Sequence, residues 1–265
     1  MIAKDSLRED FQSGKPTLGT HFLSCDPDLA EIIGDVGLFD YAEFCAEYST
    51  FDMSLLYHMA RAAQCADLPL IIKLDQMNQG FWAQVAIGAG FKGVLFTDIR
   101  KAVDVEACYQ SIRPDTPVDQ GLMGVKLRRP ALGSYNSENY LANLQSVFFL
   151  IMIEKGIALD NLDEILKKAG ETGVDMTQWG PVDFGFSHGQ PNLMHTHAIR
   201  PFEELVIQKS IEFGLAPRIE IASVDQAQRY IDLGVRHFCV GWDRFIYQSA
   251  LASIGEGMQK LLSEL

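Results

Sequence analysis

Short apolar runs of strand length recur along the chain, and between them apolar residues return every third or fourth position, the period of a half-buried helix. The runs predict strands over Thr17 to Leu23, Tyr41 to Ala46, Leu70 to Leu74, Gly93 to Phe96, Val147 to Ile153, Val174 to Trp179, Arg218 to Ile221 and His237 to Val240. The intervening stretches predict helices over Asp28 to Val36, Met53 to Ala66, Trp82 to Ala89, Val103 to Ile112, Leu162 to Ala169, Phe202 to Phe213 and Asp225 to Leu233. Asp26-Pro27, Asp160-Asn161 and Ser223 stand where caps are expected for the first, fifth and seventh of these. Strands alternating with helices imply parallel pairing, because each parallel connection needs a crossover and a helix makes it compactly. Eight such units with no linker point to one α/β domain over residues 1–265, a closed (β/α)8 barrel of TIM type, with an open doubly wound sheet as the rival. The first strand ends in Gly19-Thr20-His21, which is no dinucleotide-binding turn. Two stretches break the repeat, Ser111 to Tyr140 and Gly180 to Arg200, and long loops after barrel strands commonly build the site.

Charge and composition narrow the function. A net charge of −13 over 265 residues, with no clustered Lys and Arg to oppose it, argues against nucleic acid as a partner. The longest apolar run, Val147 to Ile153, is too short to span a bilayer, and the mixed charges at the N-terminus do not resemble a secretory signal. The expected setting is the cytoplasm, with no membrane partner. Cys25, Cys45, Cys65, Cys108 and Cys239 are scattered and odd in number, so buried, reduced thiols are expected.

In a barrel of this kind the chemistry gathers at the C-terminal ends of the strands. Those ends carry His21, Glu47-Tyr48, Lys73 with Asp75, Asp98 with Arg100, Glu154-Lys155, Gly180-Pro181-Val182-Asp183, Glu220 and Asp243. So many acids at one mouth would repel one another unless a cation sat among them, and a divalent metal held by carboxylate oxygens and water is one solution. Glu154 and Asp183 are the best pair, since each directly follows an apolar strand. Ion pairing of these carboxylates with Lys155, Lys73 or Arg100 is the alternative. His195 and His197 are too close together for a helical metal site. Trp82, Trp179, Trp242, Phe148, Phe149 and Met152 are expected in the core, and Asp98, Arg100, Lys126, Arg128 and Arg129 are charged loop residues that could reach an anionic substrate tail.

Gly19-Thr20, Pro27 to Ile33, Phe39-Asp40-Tyr41 leading to Ala46-Glu47, Ile87 to Gly90 with Gly93-Val94, Ile151 to Glu154, and Gly173-Val174-Asp175 leading to Gly180-Pro181-Val182-Asp183 together resemble an HpcH/HpaI-type aldolase. The resemblance covers most of the chain, from about Thr17 to the final helix. It implies a metal-dependent (class II) pyruvate aldolase on a modified barrel, a carbon–carbon lyase that reversibly splits a 4-hydroxy-2-oxo acid into pyruvate and an aldehyde. It further implies that Glu154 and Asp183 ligate Mg²⁺ or Mn²⁺, that the ion polarises the keto oxygen of pyruvate, and that the backbone around Gly180, Pro181, Val182 and Asp183 holds the substrate carboxylate; Lys73 can still supply a positive charge to the substrate, and Arg100 is read from the residues alone as a contact for an anionic tail. Association through the final helices is implied too, so that the apolar stretch Phe245 to Leu262 would pack on a second subunit of a homo-oligomer.

The sequence also departs from the family. Tyr48 stands where a proton-transferring histidine is usual, Lys73 where an arginine ends the third strand, Ala86 where an acid is usual, and Met152 where a glutamine is common. Tyr48, His21 and His188 are the candidates to move the proton, with a cation and Lys73 expected to favour the Tyr48 phenolate. A Schiff base on Lys73 would need a lowered pKa, which Asp75 and Glu47 oppose. Two other functions stay open: a lyase acting on a malyl- or citramalyl-type thioester, and a catalytically silent barrel with a binding role.

Overall fold

In a computed structural model, which describes residues 7–125 and 137–265, the chain forms a closed barrel of eight parallel strands paired in sequence order, β8 returning to β1. The strands are β1 Thr17–Phe22, β2 Tyr41–Cys45, β3 Leu70–Leu74, β4 Gly93–Phe96, β5 Phe148–Ile153, β6 Met176–Trp179, β7 Ala216–Ile221 and β8 His237–Trp242. Among the described residues the helices are α1 Leu7–Gln12, α2 Asp28–Val36, α3 Met53–Cys65, α4 Gln79–Ala89, α5 Ala102–Ile112, α6 Ser137–Gln145, α7 Gly156–Asp160, α8 Leu162–Thr172, α9 Pro181–Ser187, α10 Arg200–Glu212, α11 Ala227–Asp232 and α12 Asp243–Leu262. None is long and apolar enough to cross a membrane.

The expected strands and helices are present, with ends moved by a few residues. The expected caps act differently. Asp26 Oδ1 accepts from the Asp28 N–H, while Asn161 and Ser223 make no side-chain cap bond; side chains that do cap helices are Asp52, whose Oδ1 accepts from the Leu55 N–H at 2.8 Å, and Asp104, whose Oδ2 accepts from the Lys101 N–H at 2.9 Å. The stretch from Gly180 to Arg200 is less irregular than its composition suggests, because Pro181 sits at the first position of α9, where the missing N–H costs nothing. His195 and His197 fall on two short 3-10 turns after it. Lys126, Arg128 and Arg129 lie outside the described residues.

Two cores follow from the geometry. The outer one packs alternate strand residues such as Phe22, Phe44, Ile72, Phe96, Phe149 and Ile151 against the apolar faces of the helices. The inner one fills the lower barrel with Tyr41, Ile71, Leu95, Phe148, Leu150 and Met176, and Leu7 and Phe11 of α1 close its base. A Cβ on Gly19 would lie 2.3 Å from the Tyr41 ring, so a glycine is what lets that aromatic fill the interior. Trp179, Phe148, Phe149 and Met152 are buried as expected, while Trp82 and Trp242 are only partly so. The five cysteines are unpaired; Cys45, Cys108 and Cys239 are buried, but Cys25 and Cys65 are exposed, which corrects the expectation of burial for those two.

Candidate active site

Above the inner apolar layer the barrel interior turns polar. Successive inward-facing positions of β2 and β7 carry Glu43, Arg218 and Glu220, and these side chains meet across the barrel. Arg218 Nη2 lies 2.6 Å from Glu43 Oε2, with both side chains wholly buried, and 3.7 Å from Glu220 Oε1. Arg218 Nε donates to Gln178 Oε1 at 2.5 Å, and Gln178 Nε2 donates to Glu220 Oε1 at 2.7 Å. Burial pulls the guanidinium pKa down, but the carboxylates, Glu43 first, outweigh it and hold it well above the ordinary value. Sequence reasoning missed this network. Glu220 could be placed at the mouth, but only closure of the barrel brings β2 and β7 together across its interior.

Glu154, directly after β5, is 3 % exposed. Its Oε1 accepts from the Asp98 N–H at 2.7 Å. Burial pushes the Glu154 carboxyl up to about 8; Lys73 opposes this, and the charges of Asp183, Glu47 and Glu220 add to it. Gly180, which ends the connection from β6, packs directly on this carboxylate: a Cβ there would lie 2.6 Å from both Glu154 Cβ and Oε2, and 2.9 Å from Met152 Cε. The Gly180 N–H donates to the Ile153 carbonyl at 3.1 Å, and Pro181 has no N–H. The backbone donors left at the start of α9 are therefore those of Val182 and Asp183, which have no helical carbonyl four residues back.

Asp183 lies in the first turn of α9 and is engaged by Lys155, whose Nζ is 2.7 Å from Asp183 Oδ1 and 2.5 Å from Asp98 Oδ1. The ion pairing read as an alternative from sequence is thus present at Asp183. Arg100 stands on the rim with its side chain half exposed, 3.8 Å from Asp98. Among the described residues no group of three or more His, Cys, Asp or Glu side chains is placed to hold a metal.

A second cluster faces this one. Lys73, at the end of β3, is buried; its Nζ pairs with Glu47 Oε2 at 2.9 Å, donates to Tyr48 Oη at 3.4 Å, and sits 4.8 Å from the Tyr48 ring centroid. Burial favours the neutral amine, but Glu220 and Glu47 outweigh it and hold the Lys73 pKa well above its ordinary value. A charged, ion-paired ammonium is no Schiff-base nucleophile. Burial likewise raises the Tyr48 phenol above its usual value in spite of Lys73, so these surroundings favour the phenol over the expected phenolate.

His21, at the end of β1, is 1 % exposed. Its Nδ1 is 3.2 Å from Cys239 Sγ, its ring meets Trp242 edge-on with centroids 4.3 Å apart, and its Nε2 has no protein partner. Burial lowers its pKa, against the pull of Glu220 and Glu43, and so favours the neutral imidazole. His188 lies outside this cluster, stacked on Phe184 at 5.2 Å.

No family model matches the chain. The 2-keto-3-deoxy-L-rhamnonate aldolase of Escherichia coli K12 is 27% identical over 252 residues, spanning 94% of this chain and 91% of the relative. Among solved structures, an HpcH/HpaI aldolase from Desulfitobacterium hafniense superposes with a TM-score of 0.82 at 19% identity, over 96% of each chain. A citrate synthase, SbnG, superposes with a TM-score of 0.83 at 21% identity, over 97% of this chain and 99% of the other. At these identities the two structures establish the barrel alone. With the near full-length sequence relative and the motifs that end strands β1, β2, β5 and β6, the chain is similar to HpcH/HpaI aldolases over nearly its whole length.

Proposed function

We propose that the protein reversibly cleaves a 4-hydroxy-2-oxo acid into pyruvate and an aldehyde, with Glu154 and Asp183 holding Mg²⁺ or Mn²⁺. The observation that carries this reading is the contact between Gly180 and Glu154, where backbone is brought so close to a buried carboxylate that no side chain fits between them. The donor set suits a hard divalent ion: two carboxylates, one of them in a pocket that disfavours its charge until a cation compensates it. Two protein ligands leave room for the keto and carboxylate oxygens of a substrate and for water. When bound, the ion supplies Lewis-acid stabilisation to the enolate that carbon–carbon cleavage leaves behind.

The chain's own groups supply the rest. The N–H groups of Val182 and Asp183, beside Gly180 and Pro181, face a substrate carboxylate, and the Lys73 ammonium adds positive charge at the opposite wall. Arg100, on the rim, meets the far end of a longer acid. His21 moves the proton: with Nδ1 donating to Cys239 Sγ, Nε2 presents a free lone pair, and the opposite tautomer makes Nε2 a donor. Tyr48, held as a phenol, orients the substrate through its hydroxyl.

The test is exchange of pyruvate methyl protons in heavy water with Mg²⁺, followed by proton NMR. Exchange should occur in the wild type, vanish in Glu154→Gln and His21→Gln, and persist in Tyr48→Phe. No exchange with Mg²⁺ or Mn²⁺ would reject the enolate reading.

The likeness to this family also supports self-association. α12 buries none of its residues, and Tyr247, Leu251, Ile254, Met258 and Leu261 form an exposed apolar stripe at alternating spacings of four and three. A second copy covering that stripe would make a homo-oligomer, and a monomeric mass in light scattering at micromolar concentration would rule it out.

A further inference from the structure

The residue that follows Glu154 is a lysine whose ammonium lies within the charged cluster. Lys155 Nζ is 2.5 Å from Asp98 Oδ1 and 2.7 Å from Asp183 Oδ1, and its side chain is 14 % exposed. Asp98, which follows β4, holds its place with a left-handed backbone, φ +60°, an uncommon conformation for a residue with a side chain. The same residue's N–H donates to Glu154 Oε1 at 2.7 Å. One backbone link and one ammonium thus tie together three carboxylates from the ends of β4, β5 and β6, and the ammonium is anchored on Asp98 independently of Asp183.

We infer that Lys155 is a tethered counter-cation that competes with the divalent ion for Asp183. Without the ion, its single charge is shared between Asp98 and Asp183; an ion that takes Asp183 Oδ1 displaces the ammonium onto Asp98, and one that takes Oδ2 binds against its charge at close range. The inference rests on the proposed pairing of Glu154 with Asp183. Its physical content is a conformational tax: the apparent affinity for the ion falls by the fraction of molecules in which Asp183 is free of Lys155, and by the repulsion between two cations at close range. Asp98 serves as the place where the displaced charge is kept, so the lysine stays ordered at the mouth and returns when the ion leaves. Lys155 is on this reading a positioning residue that sets how readily the site loads.

Isothermal titration of Mn²⁺ into the chelator-treated full-length protein tests this directly, with circular dichroism confirming the fold of each variant. Lys155→Met keeps the stem and removes the charge, and should bind Mn²⁺ at least about tenfold more tightly than the wild type. Lys155→Gln is the second uncharged variant should the methionine not fold. Lys155→Arg keeps the charge and can reach both carboxylates, and should bind no more tightly than the wild type. Equal affinity in the wild type and the uncharged variants, with binding still lost in Glu154→Gln, would overturn the inference and leave the metal pair standing. Tightening in Lys155→Arg to the level of Lys155→Met would also overturn it. Mn²⁺ binding that is absent, or indifferent to Glu154→Gln, would instead reject the metal pair, and the inference with it.

Discussion

Arg218 and Glu43 form an ion pair with no solvent on either side, 2.6 Å apart and wholly buried inside the barrel. Taking two charges out of water is costly, and their mutual attraction offsets that cost only while both are present. Glu43→Gln leaves the guanidinium with Gln178, with Glu220 at 3.7 Å and with an amide oxygen in place of the lost carboxylate, so its cost falls at the low end of broken buried pairs, about 3 kcal/mol. Arg218→Met leaves Glu43 without its partner and Gln178 without its donor, at about 5 kcal/mol. For a chain of this size each kcal/mol moves the melting temperature by about 2 °C, which gives losses of about 6 °C and about 10 °C. The double replacement Glu43→Met with Arg218→Met removes both charges at once and should cost less than the sum of the singles by at least about 2 kcal/mol. Urea unfolding followed by circular dichroism measures all three. Single variants within about 1 kcal/mol of the wild type, or a double variant equal to the sum, would refute the argument that each charge is held in place by the other.

Gly180→Ala places a Cβ 2.6 Å from Glu154 Cβ, a stem atom that cannot swing aside. It should destabilise the protein by about 1–3 kcal/mol and slow pyruvate methyl exchange by about a hundredfold through displacement of Glu154; a wild-type exchange rate would refute this. His237, bonded through Nδ1 to Thr17 Oγ1 and packed on Phe11, has its pKa lowered to about 4 by burial. Between that value and its ordinary 6.5 the unfolded chain binds a proton that the native state refuses, so stability falls as pH drops through this window. Allowing for partial solvent screening, the wild type should lose about 1 kcal/mol more than His237→Asn between pH 7 and pH 5, read from urea midpoints; equal losses would refute the assignment.

The strands were legible because burial on both faces writes them as nearly unbroken apolar runs: Leu70–Leu74, Gly93–Phe96 and the β5 run, Phe148–Ile153, stand out from composition alone. α9 was not, since Pro181, Gly185 and the polar residues around them carry no apolar period and the helix is held by its place above Trp179 and Phe202. α1 escaped for the same reason, its Leu7 and Phe11 gaining meaning only as the plug of a barrel that the rest of the chain builds. In the site, Glu154 and Asp183 could be picked out as acids following strands. The pairing of Lys155 with Asp183 was open from the sequence as the alternative to a metal, but its second contact, with Asp98, was not, because adjacency in sequence says nothing of which way a lysine turns. The Cys239 partner of His21 lies 218 positions away and no local pattern announces it.

The pairing of β8 with β1 has a consequence for how the chain assembles. Every other neighbouring pair of strands is joined by one crossover, as when Gly19 meets Tyr41 or Gly93 meets Phe148, whereas Thr17 and His237 are separated by 220 residues. Because loop-closure entropy grows with the logarithm of chain length, sealing this seam costs about 2 kcal/mol more than forming a neighbouring pair from the open chain. The sheet can therefore grow one unit at a time, with ring closure as the last and most entropically demanding event. The unsealed intermediate would expose two edges, and His21 would lack both Cys239 and Trp242 until the ends of the chain meet. Circular permutants that join the native termini and open another connection would transfer that slow step to a different pair of strands.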